Sequence, residues 1–175
     1  MMHLFNNIKY QLPGQEIESL FHPGQATTML GLLKFPDDFK KSTGLNQLWY
    51  KDNGTDASIA GNNRNDGFKI RHGYIIQKPD PRGKFSFRVP LKHIFGFCDD
   101  YDKVVYGFKH QLTLVRKGDN DAIFRAAAAD AGKVVLSKLS WYMPHVIPND
   151  QEKLALYKTI ESKSSGNSYA IFGKT

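Results

Sequence analysis

The side chains able to do chemistry are few and widely spaced. Six histidines, His3, His22, His72, His93, His110 and His145, are spread over the chain. None is paired as His-x-His or His-x3-His, the spacings by which a strand or a helix brings two imidazoles to one metal ion. His145, held between Pro144 and Pro148, is read as bonding a backbone group near a strand end. Asp99, Asp100 and Asp102 flank Tyr101. Carboxylates this close can hold a cation or share a proton, but consecutive ones point apart and read as a solvated turn or a helix cap. Cys98 lies against those carboxylates, whose charge disfavours a thiolate, so it is a poor nucleophile. The Phe172-Gly173-Lys174-Thr175 ending imitates a phosphate loop. However, the leading glycine of that motif would fall at Ser168, and no helix follows to supply an N-terminus. Asn53-Gly54-Thr55 fits a glycosylation sequon and is read as a turn. The residues thus predict no catalytic, cofactor-binding or metal-ligating set, and no enzyme.

The 175 residues suffice for one domain that buries its own core without a staple. Cys98 is the single cysteine, which excludes an intrachain disulfide and makes oxidising export unnecessary. The opening MMHLFNNIKY lacks the basic and apolar regions of a signal peptide, and no apolar run reaches the roughly 20 residues that span a bilayer. Net charge is +7, from 24 Lys and Arg against 17 Asp and Glu. The basic residues are scattered apart from pairs such as Lys40-Lys41 and Arg116-Lys117. This predicts a solvated basic surface and at most non-specific nucleic-acid binding. Twelve Phe and eight Tyr favour β-structure.

The elements follow from pattern. Residues 4–10 and 15–21 read as strands around the Leu12-Pro13-Gly14 turn, and 25–34 as a short helix. The Asn- and Gly-rich stretch 51–67 is a loop. Residues 68–77, 85–91, 103–117 and 133–143 read as strands; 103–117 places Val104, Tyr106, Phe108, His110, Leu112 and Leu114 on one face. Trp141 and Phe108 are expected in the core. HIFGFCDDY reads as a helix or turn, GDND at 118–121 as a turn, and the Ala-rich stretch that follows as helical. Asp150 is read as capping a helix carrying Leu154, Tyr157 and Ile160. SYAIFGK closes as a strand. The expected class is all-β with short helices, an incomplete jelly-roll β-sandwich spanning residues 1–175 as one domain.

A family resemblance sharpens this reading. Phe5-Asn6-x-Ile8-x-Tyr10, then Glu16-Ile17, then Gly24-x-x-Thr27-Thr28 open the chain. VPLKHIFGFCDDY, KHQLTLVRKGDNDAI, KLSWYMPHV and DQEKLALYKTI follow in order, so the match covers about residues 3–163. Together they resemble a block in the major capsid proteins of adintoviruses and polinton-like DNA elements and their relatives endogenous to animal genomes. That resemblance implies a double jelly-roll protein of which this chain holds mainly the first jelly roll. It implies trimeric capsomers that tile a shell beside neighbouring capsomers and a minor (penton) capsid protein. It implies a virion location after synthesis in the host cytoplasm, with assembly possible in the nucleus, and no catalytic residue. Two alternatives are a domesticated capsid-derived binding module that uses its charge on nucleic acid, and a cupin-like metal enzyme or carbohydrate binder. A single sandwich is expected not to build a shell alone.

Overall fold

The computed structural model describes residues 2–57, 64–77, 83–102, 104–123, 132–164 and 171–172. The N-terminal hairpin forms as its sequence predicts. Strand β1 (Phe5–Leu12) pairs antiparallel with β2 (Gln15–Phe21). Pro13 and Gly14 make the turn between them, and Gly14 takes φ +79°, which glycine adopts without steric cost. On its other side β1 pairs antiparallel with β4 (Gln111–Arg116), so the sheet order is β2-β1-β4. The β1–β4 register shifts between Phe5 and Asn7. An extra residue there lets Phe5 join Ile8 and Tyr10 on the core side despite the odd spacing. Met2, Phe5, Ile8, Tyr10, Ile94 and Phe95 form the core, with Ile8 and Phe95 each 1% exposed. Leu112 and Leu114 of β4 pack against it.

Helix α1 (Pro23–Lys34) follows β2, with proline at its first position, where the missing N–H costs nothing. The 3-10 turns Asp37–Lys41 and Thr43–Gln47 lead into residues 48–57, which form neither helix nor strand. A 3-10 turn, Leu91–His93, and helix α3 (Gly96–Asp100) cover the sheet, matching the helix-or-turn reading of HIFGFCDDY. No helix among the described residues is long and apolar enough to cross a membrane.

Several strand expectations are corrected. Residues 68–77 are helical: α2 (Asp66–His72) continues into a π-turn, Gly73–Gln77. The cause is a cap that a strand reading overlooks. Asn65 Oδ1 accepts from Phe68 N at 3.2 Å, Asn53 Oδ1 accepts from Asp66 N at 2.8 Å, and Phe68 stacks on His72 one turn later. The long run 103–117 is split. Val104–Val105 (β3) pairs with Ile171–Phe172 (β5) in a second sheet, while β4 belongs to the first. Gly107 at φ +76° separates them. Accordingly Val104 and Tyr106 are exposed and Phe108 is half-buried. Residues 85–90 and 132–148 carry neither strand nor helix and join no ladder among the described residues, and Trp141 is 38% exposed. The 118–121 turn is one short helix, α4 (Asp119–Ala122). Helix α5 (Asp150–Ser164) forms as expected, but its cap is Asn149, whose Oδ1 accepts from Glu152 N at 2.8 Å, and not Asp150. The antiparallel sheets fit a jelly roll, yet among the described residues helix, including the 3-10 and π turns, exceeds strand, 44% against 16%, so the expected all-β class is met only in part. The Ala-rich stretch 124–131, most of the 78–84 turn and the Gly173-Lys174-Thr175 ending lie outside the described residues.

Candidate interaction surface

The side chains singled out for chemistry are kept apart by the fold. His3 Nε2 lies 3.4 Å from Thr28 Oγ1. His22 sits in the left-handed turn before α1, at φ 50°. His72 stacks on Phe68. His93 Nδ1 lies 2.9 Å from Gln47 Nε2, and its ring meets Phe35 and Phe39 edge-on. His110 Nδ1 lies 2.6 Å from the Tyr10 hydroxyl. His145 is exposed. Burial holds His3, His93 and His110 below the ordinary imidazole pKa, and the charge of His145 adds to the effect at His110. Among the described residues no three His, Cys, Asp or Glu side chains come together as a metal site.

The acidic cluster resolves into separate structural tasks. Asp99 pairs with Lys34 at 2.8 Å, tying α3 to the end of α1. The Lys34 hydrogen bond and charge hold the Asp99 carboxyl below its usual range. Asp100 and Asp102 are exposed. Cys98 is half-buried, and burial first, then the charge of Glu18, push its thiol pKa up. Asn53 is occupied with Asp66, to which its Nδ2 donates at 2.7 Å.

Sequence reasoning missed Glu18. From β2 its Oε1 accepts from Gly96 N and its Oε2 from Phe97 N, both at 2.9 Å. A single carboxylate therefore satisfies two free amides at the start of α3 and fixes that helix to the sheet. No sequence signal separates Glu18 from Glu16 two residues before it; only the half-burial of Glu18 beside α3 does.

Helix α1 has an inverted distribution of side chains. It buries Pro23, Gly24 and Gly31 and exposes Met29, Leu30, Leu32 and Leu33, the last at 85%. The buried face is tight. A Cβ on Gly24 would overlap His3, and one on Gly31 would overlap the Trp49 ring. Thr27 and Thr28 return their hydroxyls to the carbonyls of Pro23 and Gly24, each at 2.7 Å. With the small residues turned inward, the long apolar ones stand in water. Phe21, at the end of β2, is also exposed.

Beneath α1 lies a cavity of about 470 Å3, bordered by Leu32, Phe35, Leu48, Trp49, Val89 and His93 among others. Its cations are already engaged. Arg71 donates to the Tyr50 carbonyl and to Asp52, and Lys51 pairs with Asp37 at 3.1 Å. Phe35 stacks on Phe39 at 3.9 Å and meets Trp49 edge-on at 5.1 Å, so this wall is a structural aromatic cluster.

The described residues thus form antiparallel sheets joined by short helices, with exposed apolar side chains on α1. The chain belongs to the double jelly roll-like domain family, which matches it over residues 62–171. Domains of this kind are typical of viral capsid proteins. Neither the curated proteins nor the solved structures contain a match.

Proposed function

We propose that this chain is a structural subunit of a viral shell, a jelly-roll part of a double jelly-roll major capsid protein. Its work is packing against copies of itself and of neighbouring capsomers, without catalysis or cofactor. The observation that carries the reading is the outer face of α1, where Met29, Leu30 and Leu33 stand in water while glycines are buried. A protein that acted alone would gain by reversing that arrangement. At about 25 cal/mol per Å2 of apolar surface, covering such side chains is a main source of association energy. The family match supports the jelly-roll class. The ordered motifs from Phe5 to Ile160 support the narrower assignment to adintovirus or polinton-like elements, with trimeric capsomers and a virion location.

The test is sedimentation velocity on the purified chain and on Leu33→Glu. The wild-type chain is expected to associate as concentration rises, and the variant to shift toward monomer with unchanged circular dichroism. Identical sedimentation of the two would remove α1 from the interface.

A further inference from the structure

The segment Val134–Trp141 has the composition of a strand but pairs with none among the described residues. Two grips hold it, both on the body of the first sheet. At one end Arg116 donates to the Val134 carbonyl, and Asp119 Oδ1 accepts from Val134 N at 3.2 Å. At the other end Trp141 meets His110 edge-on at 6.3 Å and Tyr10 at 6.5 Å. Val134 thus lies beside the C-terminal end of β4, and Trp141 beside its N-terminal end. The segment therefore runs antiparallel to β4. The lengths agree: seven residue steps from Val134 to Trp141 span about 23 Å, and six from His110 to Arg116 about 20 Å.

β4 offers a matching edge. It is the last strand of the order β2-β1-β4. Lys117 N donates to Leu4 O across to β1's side. Alternation along the strand then turns the amides of Leu112, Leu114 and Arg116 away from β1, where no strand pairs with them among the described residues. An open edge of this sort is a template for another strand.

We propose that Val134–Trp141 is an exchangeable edge strand: it guards β4 in its own chain and, when released, occupies the β4 edge of a second copy of this chain. Three features favour the second copy as occupant. The Arg116–Asp119 grip reads backbone atoms of Val134, and the Tyr10–His110 grip reads the Trp141 ring, so both can be made between chains unchanged. The segment buries little where it lies: Val135, Leu136 and Leu139 are exposed, as are Tyr142 and Ile147 beyond it. Antiparallel pairing needs no crossover, so a segment from another molecule meets the edge as readily as its own. This holds whether or not the chain builds a shell.

The test uses the wild-type chain and a synthetic peptide of residues 133–143, with the same peptide carrying Trp141→Ser as control. Hydrogen exchange is followed along both sheet edges, and light scattering reports mass. The wild-type peptide should slow exchange at Leu112, Leu114 and Arg116 by about tenfold and leave β2 unchanged. It should also lower the mass of the associated chain, and the Trp141→Ser peptide should do neither. Equal slowing at β2, or none at β4, would overturn the edge assignment. Slowing at β4 with no change in mass would show that the segment stays in its own chain and would overturn the exchange.

Discussion

Substituting Glu18 tests how the first sheet is joined to the helix above it. Its carboxylate accepts two amide hydrogen bonds of 2.9 Å from Gly96 and Phe97. A hydrogen bond to a charged group contributes about 1.5–3 kcal/mol where water is excluded. Gly96 is exposed and Phe97 half-buried, so water takes up part of the loss. Halving the sum gives about 2 kcal/mol for Glu18→Ala and about 1 kcal/mol for Glu18→Gln, which keeps one acceptor. With a urea slope of about 1–3 kcal/mol per molar, the alanine variant should unfold roughly 1 M earlier. Glu16→Gln is the control, because Glu16 forms only an exposed pair with Lys9 at 2.8 Å and should cost about 0.5 kcal/mol or less. A second readout is the Cys98 thiol, whose pKa is raised by burial and then by the Glu18 charge. Removing that charge should move the pH dependence of Cys98 alkylation downward in Glu18→Gln. A Glu18→Ala midpoint equal to that of Glu16→Gln, with alkylation unmoved, would refute the bridging role.

Three further outcomes are expected. Gly31→Ala gains up to about 1 kcal/mol in helix propensity but drives a Cβ to 2.7 Å from Trp49 Cζ2, and overpacking of that kind costs about 1–3 kcal/mol. The denaturation midpoint should therefore fall, and a rise would show that the α1–Trp49 contact is loose. The Tyr101 hydroxyl is buried without a hydrogen-bond partner among the described residues, so Tyr101→Phe should be neutral or stabilising by about 1 kcal/mol, whereas a loss would reveal a partner. Because the folded pKa values of His3, His93 and His110 are lowered by burial, the unfolded chain binds more protons than the folded one once pH drops through the ordinary imidazole value near 6.5. Their stability contribution is complete above that value and is lost as pH falls toward the folded pKa, so the urea midpoint should decline from pH 7 to 5, less steeply in His110→Asn. A flat or rising profile would contradict this.

Elements set by neighbouring residues were legible in the sequence. Pro13-Gly14 between two apolar runs could only turn, and β1 and β2 follow. His22-Pro23-Gly24 ends β2, the helix expected at 25–34 forms as α1 with two more residues at its start, and the Leu154–Ile160 spacing gives α5. Where a distant group decides, pattern misleads. Phe68, Ile70 and their polar neighbours alternate like a strand, yet caps from Asn53 and Asn65 make them a helix. The 103–117 alternation is real, but Gly107 sends its halves to different sheets. Asn149 took the cap assigned to Asp150 because its side chain stands one residue before the first turn. The α1 face was hidden for a similar reason. The run of Met and Leu marks a helix without saying which face it buries, and only the Trp49 ring across from Gly31 shows the small residues inside. No sequence signal places Trp49 there. Trp141 was read as core from an alternating face, but a segment held by two grips leaves it partly in water.

The most direct test of a shell-building role is electron microscopy of the product of the whole reading frame that encodes this chain, together with this chain alone. The account predicts threefold capsomers and closed shells from a product that carries both jelly rolls. From this chain alone it predicts mixed oligomers without shells, since its sandwich-to-sandwich contacts would be incomplete. A full product that stays monomeric at every concentration would contradict the account.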